Sequence, residues 1–124
     1  MADTAGDLSF EVRVVEETLE EDLSHASEAA RAAIEAMVEE LRNDGAAKDW
    51  LKRCEDDARD GTQLAGCVKL YIPQPAGQWG AVLAADEEAS KPALVLLAVG
   101  ERHPSKPWRP SVYEIAHRRL HRED

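Results

Sequence analysis

Ala93-Leu94-Val95-Leu96-Leu97-Ala98-Val99 is an unbroken apolar run. Gly100 closes it and Glu101-Arg102-His103 follow at once. A run without polar alternation predicts a strand buried on both faces, at the centre of a sheet. Reading backwards, Gln78 to Ala85 is a second strand with Trp79, Ala81 and Leu83 on one side. Before it, Cys67 to Ile72 sets Val68, Leu70 and Ile72 on one face and Cys67, Lys69 and Tyr71 on the other. Pro73-Gln74-Pro75-Ala76-Gly77 reads as the turn between these two, and the charged stretch Asp86 to Pro92 as the next hairpin loop. The three strands form a meander. Reading forwards, a loop with Pro104, Pro107 and Pro110 leads to a short amphipathic helix from Ser111 to about His121.

The first half is predicted largely helical. Residues 1–7 read as a disordered leader. Leu8, Phe10, Val12 and Val14 then alternate with Glu11 and Arg13, the pattern of a half-buried strand. Glu16 to Asp22 is expected to form a short acidic helix. Ser24 or Ser27 caps the next, where Ala30, Ile34, Met37, Val38 and Leu41 recur at helical spacing up to Asn43-Asp44-Gly45. Trp50, Leu51 and Cys54 suggest a third helix from about Ala46 to Asp60, stopped by Gly61. The expected fold is α+β, one domain over residues 8–124. Its small antiparallel sheet would hold the first strand and the meander, with N-terminal helices on one face and a short C-terminal helix.

Composition narrows the class. A chain of 124 residues fits one domain with a real core. It has no apolar run of about 18 residues and no basic n-region, so neither a membrane span nor a signal peptide is expected. Cys54 and Cys67 are too few for a disulfide framework, and His/Cys spacing of a zinc kind is absent. A cytoplasmic protein with free thiols and no metal or other cofactor is the expectation. The net charge of −10 argues against a general nucleic-acid binder. It is unevenly spread. Residues 1–60 carry 18 acids against 7 bases, whereas residues 61–124 carry 7 against 8. Within 101–122 only Glu101 and Glu114 oppose Arg102, Lys106, Arg109, Arg118, Arg119 and Arg122. One end is a cationic patch on an acidic body.

Leu96-Leu97-Ala98-Val99-Gly100-Glu101-Arg102, followed by Ser111-Val112-Tyr113 at the start of the last helix, resembles the RelE/ParE superfamily of bacterial toxin–antitoxin toxins. The likeness runs coarsely from Phe10 onward and is specific only in the last strand, its exit and the final helix. What it implies is a ribosome-dependent mRNA endonuclease without metal, in which the RNA 2′-hydroxyl attacks the neighbouring phosphorus. That chemistry asks for cations on the developing phosphate charge, a proton donor for the leaving oxygen and a ring to hold an unstacked base.

Arg102 fits the phosphate clamp, since its planar fork matches phosphate oxygens. Tyr113 fits stacking or proton transfer, and His103 or His117 fits the acid or base. The middle strand, Gln78-Trp79-Gly80-Ala81-Val82-Leu83, has no basic residue where the family often carries an Arg. Lys69 is therefore the expected second cation. Arg109, His117, Arg118 and Arg119 would contact RNA. The resemblance also implies a cognate antitoxin and, for an active toxin, the ribosome and its mRNA. Two other functions fit such a chain: a ParE-type toxin that poisons gyrase by protein contact, and a non-catalytic interaction module with acidic working helices.

Overall fold

Ser9–Val14 (β1) opens the described chain and the acidic helix α1 (Glu16–Leu23) follows it directly. Glu16 and Glu17 in the first turn of α1 face the positive end of its dipole. Ser27 caps the long helix α2 (Glu28–Asp44) by accepting from the Ala30 N–H at 3.2 Å. Ala30, Ile34, Val38 and Leu41 are the buried stripe of α2, as their spacing requires. Gly45 ends it with φ of 77°, and a Cβ there would lie 2.5 Å from the Phe10 carbonyl oxygen. Only glycine serves at this turn.

The rest of the chain is β2 (Ala46–Ala47), a 3-10 turn (Lys48–Trp50), β3 (Lys52–Arg53), β4 (Cys67–Tyr71), β5 (Trp79–Ala85), β6 (Ala93–Glu101) and α3 (Val112–Leu120). This computed structural model describes residues 9–54, 62–72, 77–86, 90, 93–104, 106 and 108–121. The expected leader 1–7, most of the two hairpin turns and residues 55–60 of the expected third helix lie outside them.

The fold is α+β, with six strands in the order β2-β1-β6-β5-β4-β3. The meander β4-β5-β6 is antiparallel as expected. The sheet as a whole is mixed, which corrects the expectation of an antiparallel one: β1 lies beside β6 in parallel, from Glu11↔Ala93 to Val14↔Leu96. The third helix is also corrected over its described part. After Gly45, Ala46 and Ala47 pair with Phe10 and Ser9 of β1, and Lys52 and Arg53 pair with Lys69 and Val68 of β4. Ala46 is wholly buried by that pairing. An apolar stripe of three residues within five was too short to specify a helix.

The two sheet faces carry separate cores. On one, α1 and α2 bring Leu19, Leu23, Ile34 and Leu41 against Val12, Leu70, Trp79, Leu83, Leu96 and Val99. On the other, α3 brings Val112 and Ala116 against Cys54, Cys67, Val82 and Ala98. Fully burying a side chain such as Leu23 or Ile34 contributes about 1.5–3 kcal/mol. The α3 helix is set by a capping box: Ser111 accepts from the Glu114 N–H and the Glu114 carboxylate accepts from the Ser111 N–H.

β6 is irregular where it matters. Val82 opposes Ala98 and Leu83 opposes Leu96, so Leu97 is an extra residue, a β-bulge. It resets the alternation, putting Leu96 and Val99 on the α1/α2 face and Ala98 on the α3 face. β1 stops pairing at Leu96, and beyond it side chains take over backbone groups of β6. The Val99 N–H donates to Asp22 at 2.9 Å, and Arg119 donates to the Leu97 carbonyl at 2.9 Å and to both Asp22 carboxylate oxygens at 2.8 and 3.0 Å. This joins α1 to α3 past the end of β1.

Candidate functional site

The bulge phase carries on to the strand exit. Gly100 and Arg102 continue on the α3 face, because a Cβ on Gly100 would meet Val112 and Ile115 of α3. The Arg102 stem lies over Gly80 of β5, where an added Cβ would come within 3.0 Å of its Cγ and 3.1 Å of its Cδ. Gly80 thus makes the groove in which the arginine lies. From there the guanidinium reaches Tyr71, its Cζ 4.4 Å from the ring centroid, within cation–π range. One terminal nitrogen donates to the Gly77 carbonyl at 3.0 Å. Nε is buried with no acceptor among the described residues. Leaving a buried donor unmet costs about 1–3 kcal/mol, a recurrent mark of functional positions.

Tyr113 stands beside this group at the start of α3. Burial pushes its hydroxyl pKa up and nearby Tyr71 adds to the shift, while Arg102 pulls the other way. The phenol keeps its proton through neutral pH and above. Lys69 places Nζ 5.4 Å from the Tyr113 ring centroid, and Lys52, its direct partner across β3 and β4, places Nζ 5.8 Å from the Tyr71 ring. Like charges directly opposite on two strands are destabilising. Lys52, Lys69 and Arg102 have no acidic partner among the described residues. Three cations and two phenols therefore share one face of an acidic protein, an arrangement suited to an anion that carries aromatic groups.

Arg102, Tyr113 and Lys69 are thus brought together. Sequence reasoning missed two members. Tyr71 was legible by its alternation with Lys69 but was not assigned a role. Lys52 was hidden inside the expected helix.

His103, next to Arg102 in the chain, is exposed after β6. The other candidates lie elsewhere. His117 Nδ1 accepts from the Gln63 N–H at 2.9 Å, and His121 Nε2 meets the Gln63 carbonyl at 2.7 Å. The two rings, 4.5 Å apart, hold the segment before β4. Arg109 pairs with Glu101 at 3.4 Å, and Arg118 is exposed on α3. Arg109, Arg118 and Arg119 line a cavity of about 540 Å³, which is also lined by Glu21, Asp22 and Trp108. Arg119 does not belong to a solvated RNA-binding surface: its side chain is 15% exposed and committed to Asp22.

Cys54 and Cys67 do approach each other. The Cys54 N–H donates to the Cys67 carbonyl at 3.1 Å and both are free, buried thiols. Burial, with a further contribution from Cys67, raises the Cys54 pKa to about 11. No group of three or more His, Cys, Asp or Glu side chains able to hold a metal occurs among the described residues. No helix among them is long and apolar enough to cross a membrane. No family model, curated protein or solved structure matches the chain.

Proposed function

We propose that the protein is a RelE-type toxin of a cytoplasmic toxin–antitoxin pair, an endonuclease that cuts mRNA at the ribosome without a metal ion. The observation that carries this reading is the convergence of Arg102, Lys69 and Tyr113, separated in sequence, on one face with no acidic partner among the described residues. In this reaction the 2′-hydroxyl oxygen forms a bond to phosphorus, the bond from phosphorus to the 5′-oxygen breaks, and a 2′,3′-cyclic phosphate remains. Arg102 binds the phosphate oxygens and stabilises their developing charge, with Lys69 as the second cation. Tyr113, its proton held by burial, donates to the departing 5′-oxygen. Tyr71 holds the Arg102 guanidinium and offers a surface to a base. His103, next after Arg102, is the titratable group nearest in sequence for the 2′-hydroxyl proton. The partner is a cognate antitoxin that covers this face.

The test is controlled expression in bacteria with mapping of mRNA ends. Growth arrest with new mRNA 5′ ends, relieved by both Arg102→Ala and Tyr113→Ala, supports the reading. Arrest with intact mRNA and induced DNA-damage signalling replaces it with gyrase poisoning. Unimpaired growth with stable capture of a single partner replaces it with a binding module.

A further inference from the structure

Cys54 and Cys67 are the two cysteines of the chain, and the sheet sets them opposite each other. The register of β3 on β4 pairs Lys52 with Lys69 and Arg53 with Val68, so the next position along is Cys54 against Cys67. The 3.1 Å bond from the Cys54 N–H to the Cys67 carbonyl continues that register. Alternation puts both side chains on the α3 face, where they share one core with Val112 and Ala116. Residues directly opposite on antiparallel strands have Cα atoms about 4.5–5.5 Å apart, inside the roughly 4.4–6.8 Å that a disulfide spans. The Cys67 N–H returns no bond to Cys54 but donates to the Leu64 carbonyl at 3.0 Å. The pair is therefore held from one side only, which leaves room for the strands to close on a bridge.

β3 is a weak attachment. It is two residues long, stands at the edge of the sheet and has β4 as its one strand neighbour. One of its two pairs sets Lys52 opposite Lys69, like charges that oppose pairing. An exposed edge strand of this kind opens locally at low free energy. While β3 is in place, burial keeps both thiols covered and protonated. When it opens, Cys54 reaches solvent, whereas Cys67 stays on β4, which β5 still holds along its length.

We infer that Cys54 and Cys67 are a reversible redox pair that closes into a cross-strand disulfide and stitches β3 to β4. This chemistry is independent of the RNA reading. The oxidant is a small-molecule disulfide such as oxidised glutathione. The Cys54 thiolate of the open form attacks one oxidant sulfur, the oxidant's S–S bond breaks and one thiolate leaves. Cys67, after losing its proton, attacks the Cys54 sulfur and expels the second thiolate. The two cysteines lose two electrons and two protons, and the oxidant takes them up as two thiols. The bridge fixes Lys52, two residues before Cys54 on the same face, opposite Lys69 and beside Tyr71. Oxidation thus sets how firmly the cation–tyrosine face is held together.

The test equilibrates the full chain with reduced and oxidised glutathione at set ratios, without denaturant and again in urea. Equilibration runs for many hours, because the open form is scarce. Acid quenching and intact mass then read the products. A monomer lighter by two hydrogens is expected. In the folded chain it is half formed in a mixture about tenfold more reducing than in urea, because the fold presets the pair. Amide exchange at Cys54 is expected to slow about tenfold on oxidation, since the bridge suppresses opening. Cys67→Ser is expected to stop at the mixed disulfide on Cys54, and Cys54→Ser to stay reduced. Mixed disulfides or dimers as the sole oxidised products of the unaltered chain overturn the inference. A bridge that forms as readily in urea overturns it too, as does Cys54 exchange that oxidation leaves unchanged.

Discussion

The guanidinium of Arg102 lies 4.4 Å from the ring of Tyr71, and its stem passes so close over Gly80 that a Cβ there would come within 3.0 Å of it. The residue that opens the groove can therefore be tested without touching the groups that act in it. Gly80→Ala is expected to displace the flexible Arg102 stem and change the unfolding free energy by less than about 1 kcal/mol. Activity is expected to fall about a hundredfold, because small displacements of a positioning group carry that penalty. Urea denaturation and an RNA cleavage assay on the same preparation measure the two separately. A fully active Gly80→Ala protein would show that the Arg102 position is not used.

Tyr113 separates ring from hydroxyl. Tyr113→Phe keeps the ring beside Lys69 and removes the donor. If the hydroxyl protonates the leaving oxygen, single-turnover cleavage falls about a hundredfold or more while RNA affinity is kept. The phenol pKa is displaced upward, so the alkaline fall in activity due to its ionisation comes above the ordinary tyrosine value of 10.0. That limb should be absent from the Tyr113→Phe profile.

Asp22 and Arg119 predict a stability effect far from the reaction face. Each is the other's charge partner in a largely buried setting. Arg119→Ala strands the Asp22 carboxylate and is expected to cost about 3–5 kcal/mol. Replacing both residues with leucine should cost less than the sum of the two single replacements. Equilibrium denaturation of the three variants gives the coupling directly.

The thiols give a pH signature. The folded pKa of Cys54 is raised from 9.0 to about 11, and burial moves Cys67 in the same direction. The folded state therefore holds these protons more tightly than the unfolded state. The associated stability is fully present below pH 9 and is lost as pH rises through about 11. Native protein at pH 8 should resist iodoacetamide, and both thiols should react once urea unfolds it. Cys54→Ala should flatten the stability profile across that alkaline window.

Much of the fold was legible because local chemistry and tertiary packing agreed. The Ala30–Leu41 periodicity, the apolar run of β6, the Ser111 helix start and the meander all appear where residue pattern alone would put them. Three features were not legible. The parallel β1–β6 pairing depends on where the helical segment returns the chain, and strand patterning carries no sign of direction. The β2–β3 excursion hides behind Trp50, Leu51 and Cys54, whose spacing mimics a helical stripe. The bulge at Leu97 is silent in an all-apolar run, because no polar residue marks the change of phase.

The site shows the same division. Arg102, Tyr113 and Lys69 were readable from strand exits, helix starts and alternation. Tyr71 was visible on the Lys69 face but unassigned, and Lys52 needed the unexpected β3. Arg119 was misjudged because a basic helix face looks alike in sequence whether its members are solvated or committed to a buried acid.

The side-chain bonds at the far end of β6 also bear on how this chain behaves in the company of its own copies. A bare strand edge recruits other strands, and apolar ones such as β6 do so most readily. Here a second strand arriving at Val99 would have to strip a carboxylate from both a backbone amide and an arginine before it gained a single ladder bond. The central strand can thus run on past its neighbour without becoming a seed for aggregation.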